Sequence, residues 1–361
     1  MDKEFNLFGT HIVVGDTSLM QLEKIINDLN PTTVFILLDA NTKRYCLPIL
    51  LKLSPIISES HIVELTCGET VKSFDTLHTI ALKLMDLNID RHSVIVNLGG
   101  GAICDFGGFL SSVIKRGVKF INIPTTLMAQ IDASIGGKVA LNLNKIKNQI
   151  GLFSNPEAII VYPPYIFSLS DDDFLSAVSE IFKYGIIYDV DFWNEITDLE
   201  FHKHLNLQSI ISKCISIKID IVNLDYFDFQ ERRILNFGHS ISHAIESYFA
   251  QNKTPVSHGY ALAVGIICEA YISSLKYNFP SNKLSYITEK IISTFPPFNI
   301  QELDYAIFLK HLKLDKKNQL GIYKFTLLKD IAQPVFNAKV SDNDIIESLE
   351  FYKKNVAFNL K

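Results

Sequence analysis

No uninterrupted apolar run in this chain reaches the roughly 18 residues that a membrane span needs, so no transmembrane segment is expected. Long Lys/Arg runs are also missing, and 34 basic residues against 39 acidic ones leave a net charge of −5. That balance excludes the broad basic face of a nucleic-acid binder, although a local basic pocket for a small anion fits within it. Cysteine is scarce and unpatterned: Cys46, Cys67, Cys104, Cys214 and Cys268 form no CxxC pair and are odd in number. A disulfide framework is therefore not expected, and a reducing compartment is. The opening MDKEFNLFGTH has neither an apolar signal core nor an Arg-rich transit pattern, which points to a cytoplasmic protein.

What is present is a globular composition, 48% hydrophobic and 20% charged over 361 residues, long enough for two domains. In the first half, strands alternate with helical patterns. Thr32 to Asp39 reads as a buried strand, as do His61 to Leu65, Ser93 to Leu98 and Val118 to Ile123 before Pro124, with a helical stretch at Thr70 to Leu87. Such alternation predicts a parallel, Rossmann-like sheet. After Pro163-Pro164 the apolar spacing becomes helical: around Phe174 to Phe182, over Leu207 to Leu224, Ile234 to Ala250 and Tyr260 to Tyr277, and again at Asp344 to Lys354. Ile322 to Leu328 suggests a short strand. The expectation is an α/β domain over residues 1–165 and a mainly α-helical domain over residues 166–361.

Three regions carry chemistry-bearing residue types. Gly99-Gly100-Gly101 ends a predicted strand and opens a helix, where glycine admits a ligand close to the backbone and the helix start offers N–H groups to phosphate. A tight strand-to-helix turn uses glycine equally, and the spacing is not GxGxxG. Thr125-Thr126, Asp132, Gly136-Gly137-Lys138 and then Lys147-Asn148 suit a phosphate or polar cofactor, the alternative being a solvated loop. Glu180 and Lys183 are i,i+3 on one helix, where a Glu beside an apolar face is commonly half-exposed instead of a ligand. His239 and His243 are i,i+4 and project from one helix face, with His258-Gly259 fifteen residues on. Two imidazoles and a distant carboxylate make an open three-ligand metal site, in which one of the paired histidines can bind while the other handles protons; two hydrogen-bonded core histidines are the alternative. His202 and His204 receive no role.

Taken together, GGGAICDFGGF, KRGVKFINIPTTLMAQIDASIGGKVALN, KNQIG, SEIFKYGII, RRILNFGHSISHAIE, SHGYALAVG and LDKKN resemble the 3-dehydroquinate synthase family, in its order and at compatible spacings from Cys67 to Asn318. The resemblance implies a dehydroquinate synthase-like fold, with an NAD-binding Rossmann-like domain and an α-helical metal-binding domain, in a homodimer. It places the metal ligands on Glu180, His239 and His258, for Zn2+ or Co2+. It places cofactor contacts on Gly68, Glu69, Lys72, Gly101, Ala102, Ile103, Cys104, Asp105, Thr125, Thr126, Lys138 and Lys147. Substrate contacts fall on Arg116, Asp132, Lys147, Lys218, Arg232 and Asn236, and catalytic roles on Lys138, Asn148, Lys183 and His243. Lys316 and Lys317 are further candidates for the phosphate.

The implied substrate is 3-deoxy-D-arabino-heptulosonate 7-phosphate. Transient oxidation at C5 by NAD acidifies the C6 proton, phosphate is eliminated, the hydride returns, and an aldol step closes the carbocycle to 3-dehydroquinate. A dianionic substrate needs cationic clamps at both ends, which these residues supply. Departures from the family pattern stand at Cys67, Val139, Ser168-Leu169-Ser170, Tyr226, Asp228, Ser242 and Tyr260, and none removes an implied ligand or clamp. A paralogous sugar-phosphate cyclase with another substrate, an iron-type metal-dependent alcohol dehydrogenase and an inactive binding protein are the competing readings.

Overall fold

The computed structural model describes residues 2–143, 146–202, 205–252, 254, 256–313 and 323–357. Contacts divide the chain into two compact units, Met1–Ser170 with Lys203–Asn223, and Asp171–His202 with Leu224–Lys361. The helix Gln208–Leu224 thus groups almost wholly with the first unit although it lies in the helical half of the sequence.

The first unit is built on a seven-stranded sheet in the order Lys3–Leu7, Thr10–Val14, Ala158–Val161, Lys119–Pro124, Val94–Gly99, Val34–Asp39, His61–Leu65. Every pairing is parallel except the first, an antiparallel hairpin turned at Phe8 and Gly9, both at positive φ. The central strands are apolar along their whole length because both faces are covered. Phe35 and Leu37 pack with Ile95, Phe106, Leu110 and Phe120 on one side, while Ile36 and Leu38 pack with Val94, Val96, Ile121 and Ile123 on the other. This is the parallel-dominated, helix-covered sheet that the alternation predicted. Two neighbouring strands end together, Gly99 opposite Pro124, so the segments beginning at Gly100 and Thr125 leave the same sheet edge at the strands' carboxyl ends. Ligands of open α/β sheets bind at that edge.

Three features were not anticipated. The N-terminal hairpin and Ala158–Val161 are short runs, difficult to tell from other apolar segments. The third is an antiparallel hairpin, Lys138–Leu143 with Ile146–Phe153, whose second strand is largely polar and exposed. Polar exposure hides a strand from periodicity, and Lys147-Asn148 read as loop for that reason.

The second unit is mainly helical. The helix His258–Tyr277 is buried on most of its circumference, as its near-continuous apolar sequence requires. Around it lie Asp171–Tyr188, His239–Gln251, Ser281–Thr294 and Asp342–Ala357. The expected strand near Ile322 to Leu328 is Tyr323–Asp330, paired with Gln333–Val340; Ile322 lies outside the described residues. One expected helix, Ile234 to Ala250, is broken. A 3-10 turn covers Glu231–Asn236, Gly238 takes φ +81°, and the α-helix starts only at His239. Apolar spacing continues across the break, so periodicity could not detect it; the left-handed residue, which glycine tolerates, resets the chain direction.

At that break two backbones touch. A Cβ on Gly265, in the middle of His258–Tyr277, would lie 2.0 Å from the Gly238 carbonyl oxygen. Replacing Gly265 by Ala gains about 1 kcal/mol of helix propensity. Overpacking against backbone costs about 1–3 kcal/mol or more. Gly265→Ala is expected to lower the denaturation midpoint; a midpoint at or above that of the unaltered protein would show that the helices separate freely.

Candidate active site

Three side chains from three helices meet in the second unit. Glu180 comes from the middle of Asp171–Tyr188, His239 is the first residue of His239–Gln251, and His258 is the first residue of His258–Tyr277. The Glu180 Oε1 atom lies 3.2 Å from His239 Nε2 and 3.3 Å from His258 Nε2. One ligand atom from each residue falls within 4.8 Å of the other two, a spacing that fits a single cation. His239 Nδ1 is 3.2 Å from the Phe237 carbonyl oxygen and must donate to it, which leaves Nε2 as the lone-pair nitrogen. His258 Nδ1 is 2.7 Å from Glu246 Oε1, so a carboxylate orients that ring in the same way. The donor set, one carboxylate and two imidazoles, suits zinc or cobalt with a position left open.

Glu180 is 1% exposed, not the half-exposed edge residue that its helix face allowed. Burial raises its carboxyl, but Lys183 and His239 outweigh that and hold it well below the ordinary carboxylate range. Lys183, also 1% exposed, places Nζ 2.5 Å from Glu180 Oε2. Burial pushes His239 down to about 4 against the pull of Glu180. Burial acts the same way on His258, yet the hydrogen bonds with Glu180 and Glu246 overcome it and raise the imidazole to about 9. His243, the other member of the i,i+4 pair, is exposed; its ring centroid is 5.4 Å from that of His239 and 6.3 Å from that of His258. It borders the cluster without belonging to the three-atom set. Arg232 is 2% exposed, with Nη1 donating to the Tyr226 carbonyl, and Asn236 is half-buried in the same turn.

The first unit assembles a second group. Lys72 Nζ, 2% exposed, donates to Asp105 Oδ2 at 2.6 Å and to Asn148 Oδ1 at 2.5 Å, with Glu69 Oε2 at 3.7 Å. Burial raises the Asp105 carboxyl to about 6, against the pull of Lys72. Asn142 ties the polar hairpin to this group: its N–H donates to the Lys72 carbonyl, its Nδ2 to Glu69, and its Oδ1 accepts from Asn148 N–H. Gly68 and Glu69 lie in the 3-10 turn just before Lys72.

Gly101 to Asp105 form the first turn of Gly101–Val113 at the sheet edge, with Thr125 and Thr126 beside them: Thr125 N–H donates to the Gly99 carbonyl, and a Cβ on Gly100 would press on Thr126 Cγ2 at 3.0 Å. A glycine-lined helix start at that edge fits the pyrophosphate of a dinucleotide. Asp132 sits in a π-turn, Ala129–Ala133, and its Oδ1 accepts from Lys218 Nζ at 2.5 Å. Lys138 and Lys147 are exposed on the hairpin, and Arg116 is exposed at φ +67° after Gly101–Val113. Lys316, Lys317 and His204 lie outside the described residues.

Sequence reading missed Glu246, Glu269, Asn142 and Ser176, whose hydroxyl accepts from Gly259 N–H. Their contribution is contact with another functional residue or with backbone, which no spacing rule reveals; only Glu246, i,i+3 from His243, offered a helical hint. Of the departures, Tyr226 and Tyr260 make hydrogen bonds within their own unit, Tyr260 to Asp172 Oδ1, and Ser242 is fully buried.

Comparison with known proteins places this geometry. The family model for the 3-dehydroquinate synthase N-terminal region matches residues 62–176, and that for the C-terminal region matches residues 177–318. A 3-dehydroquinate synthase of Parabacteroides distasonis is 36% identical over 95% of this chain and 98% of its own length. Among solved structures, a 2-deoxy-scyllo-inosose synthase complexed with carbaglucose-6-phosphate, NAD+ and Co2+ aligns with a TM-score of 0.83 at 20% identity, over 97% of this chain and 99% of that one. A 2-epi-5-epi-valiolone synthase from Streptomyces hygroscopicus, with NAD+ and Zn2+ bound, aligns with a TM-score of 0.82 at 20% identity, over 98% of each chain. At that identity the two structures speak for the fold, while the family models and the relative carry the assignment. The chain belongs to the 3-dehydroquinate synthase family.

Proposed function

We propose that this enzyme, a phosphorus–oxygen lyase of the 3-dehydroquinate synthase type, works through the residues grouped above, on 3-deoxy-D-arabino-heptulosonate 7-phosphate. The observation that carries the reading is the convergence of Glu180, His239 and His258 on one ligand-sized space. When bound, NAD supplies reversible hydride removal at C5, and a divalent metal such as Zn2+ or Co2+ supplies Lewis-acid polarisation of the adjacent oxygens. In this reading the cofactor part lies within residues 1–165 and the metal part within residues 166–361.

Glu180, His239 and His258 hold the metal, with Glu246 orienting the His258 ring. Lys183, salt-bridged to Glu180, keeps that carboxylate ionised and presents a cation beside it. Gly101, Ala102, Ile103, Cys104 and Asp105, with Thr125 and Thr126, receive the pyrophosphate; Gly68, Glu69 and Lys72 flank it. Lys138, Lys147, Asn148 and Arg116 hold the substrate phosphate, while Lys218, Arg232, Asn236 and Asp132 read the carboxylate and ring hydroxyls. His243, exposed beside the ligand cluster, moves protons to and from substrate oxygens. The enzyme acts as a homodimer, as the family resemblance implies, and in the cytoplasm, as its unpaired cysteines and opening sequence suggest; no helix among the described residues is long and apolar enough to cross a membrane.

Purified protein given this substrate, NAD and Zn2+ or Co2+ should release inorganic phosphate without net NADH. NADH accumulating with a simple alcohol, and no phosphate, would favour the dehydrogenase reading instead. Glu180→Ala and His258→Ala should each lose bound metal by elemental analysis and lower kcat by at least roughly 100-fold, the upper range seen for loss of a ligand's orienting partner. Retained metal and turnover would remove the ligand assignment.

The two histidines make opposite contributions to the pH response of metal-free protein, and Asp105, raised to about 6, works against the His239 contribution on the acid side. Between about 4 and 6.5 folded His239 binds fewer protons than the unfolded chain, so its contribution to stability rises with pH. Between 6.5 and about 9 folded His258 binds more, so its contribution falls as pH rises. Chelated protein should therefore lose stability as pH rises from 6.5 to about 9, an alkaline fall that His258→Ala removes. Saturating Zn2+ should remove it too, because metal binding displaces the proton. Denaturant midpoints from pH 5 to 9 measure this, and an alkaline limb unchanged in His258→Ala would refute it.

A further inference from the structure

The helix His239–Gln251 starts without a cap of its own. Its N-cap residue is Gly238, which has no side chain to offer. The N–H groups of Gly238, Ser240 and Ile241 are instead met by one carboxylate, Glu269, from the neighbouring helix: Oε2 accepts from Gly238 at 2.7 Å, and Oε1 accepts from Ser240 at 3.0 Å and Ile241 at 3.3 Å. Glu269 is 0% exposed. All three backbone groups donate, which suits the ionised carboxylate.

A buried charge is a costly way to cap a helix, but position 238, at φ +81° and with a Cβ that would meet Ile266 Cγ1 and Leu262 Cδ1 at 2.8 Å, has no place for the serine or aspartate that would otherwise do it. The context supplies a further reason. Both imidazoles of the metal reading come from the first residue of a helix, the positive end of the peptide dipole. That end favours anions, so a cation held from it is opposed. Glu269 stands eleven residues beyond His258 on the same helix. At 3.6 residues per turn that spacing returns to the same face, so one helix carries one ligand and the counter-charge for the other.

We propose that Glu269 is a positioning residue of the metal site: its carboxylate fixes the backbone from which His239 is presented and supplies negative charge at the positive end of that helix. The inference rests on the metal reading of Glu180, His239 and His258.

Glu269→Gln and Glu269→Asp separate charge from structure. For each, the apo protein is titrated with Zn2+ against a competing chelator, NAD affinity is measured in parallel, and Tm is recorded. Glu269→Gln should weaken Zn2+ binding about 10- to 100-fold with NAD affinity unchanged. Glu269→Asp, shorter but charged, should bind Zn2+ more tightly than Glu269→Gln even where its Tm is no higher. Metal affinity that tracks Tm across the variants, or stays at the wild-type value in Glu269→Gln, overturns the proposal. If Glu269→Gln does not fold, Glu269→Asp is compared with Ile291→Val, a buried control on another helix: weaker Zn2+ binding in Glu269→Asp than in the control at a similar Tm supports the role, and equal binding overturns it. Wild-type protein that binds no Zn2+ would instead end the metal reading itself.

Discussion

A carboxylate almost wholly removed from water sets the terms for the second unit. An ionised group at such a site is tolerated only when paired and hydrogen-bonded, and Glu180 has Lys183 on one oxygen and two imidazoles on the other. Three helices must hold their positions for that pairing to exist. Their apolar packing is what fixes them: Val178, Ile181 and Phe182 flank Glu180, and the helix behind His258 is buried on most of its surface. The hydrophobic core thus acts at the site by determining where charges can be placed.

The histidine environments diverge for the same reason. His239 and His258 share a partner oxygen and both are partly buried, yet burial prevails in one and hydrogen bonding in the other. Glu246 hydrogen-bonds His258, while the charges of Lys183 and His258 weigh against a proton on His239. Two chemically identical side chains are made unequal by the charges that stand beside each of them.

Much of this was legible in the chain. The parallel sheet followed from β-branched runs such as Val34–Asp39, whose alternate residues serve opposite faces. The glycines at its edge and the His239/His243 spacing marked where to look. Spacing left open which histidine joins the carboxylate, since i,i+4 puts both on one face, and the distant His258 enters through tertiary packing alone. The break before His239 was hidden by apolar residues on either side of it. Glu269, one acid within an apolar helix, gave no sign of its target, because its partners are backbone groups that every residue carries.

The contact between Gly238 and Gly265 has a bearing on how this protein can vary. Gly265 lies within one helix and Gly238 just before another, yet a side chain gained at Gly265 would have to occupy space that the Gly238 carbonyl already fills. Gly238 is held separately, by its positive φ and by Ile266 and Leu262, which its own Cβ would meet at 2.8 Å. A side chain at position 265 is admitted only if the backbone around position 238 moves, whichever residue stands there, because the obstacle is a carbonyl oxygen that every residue carries.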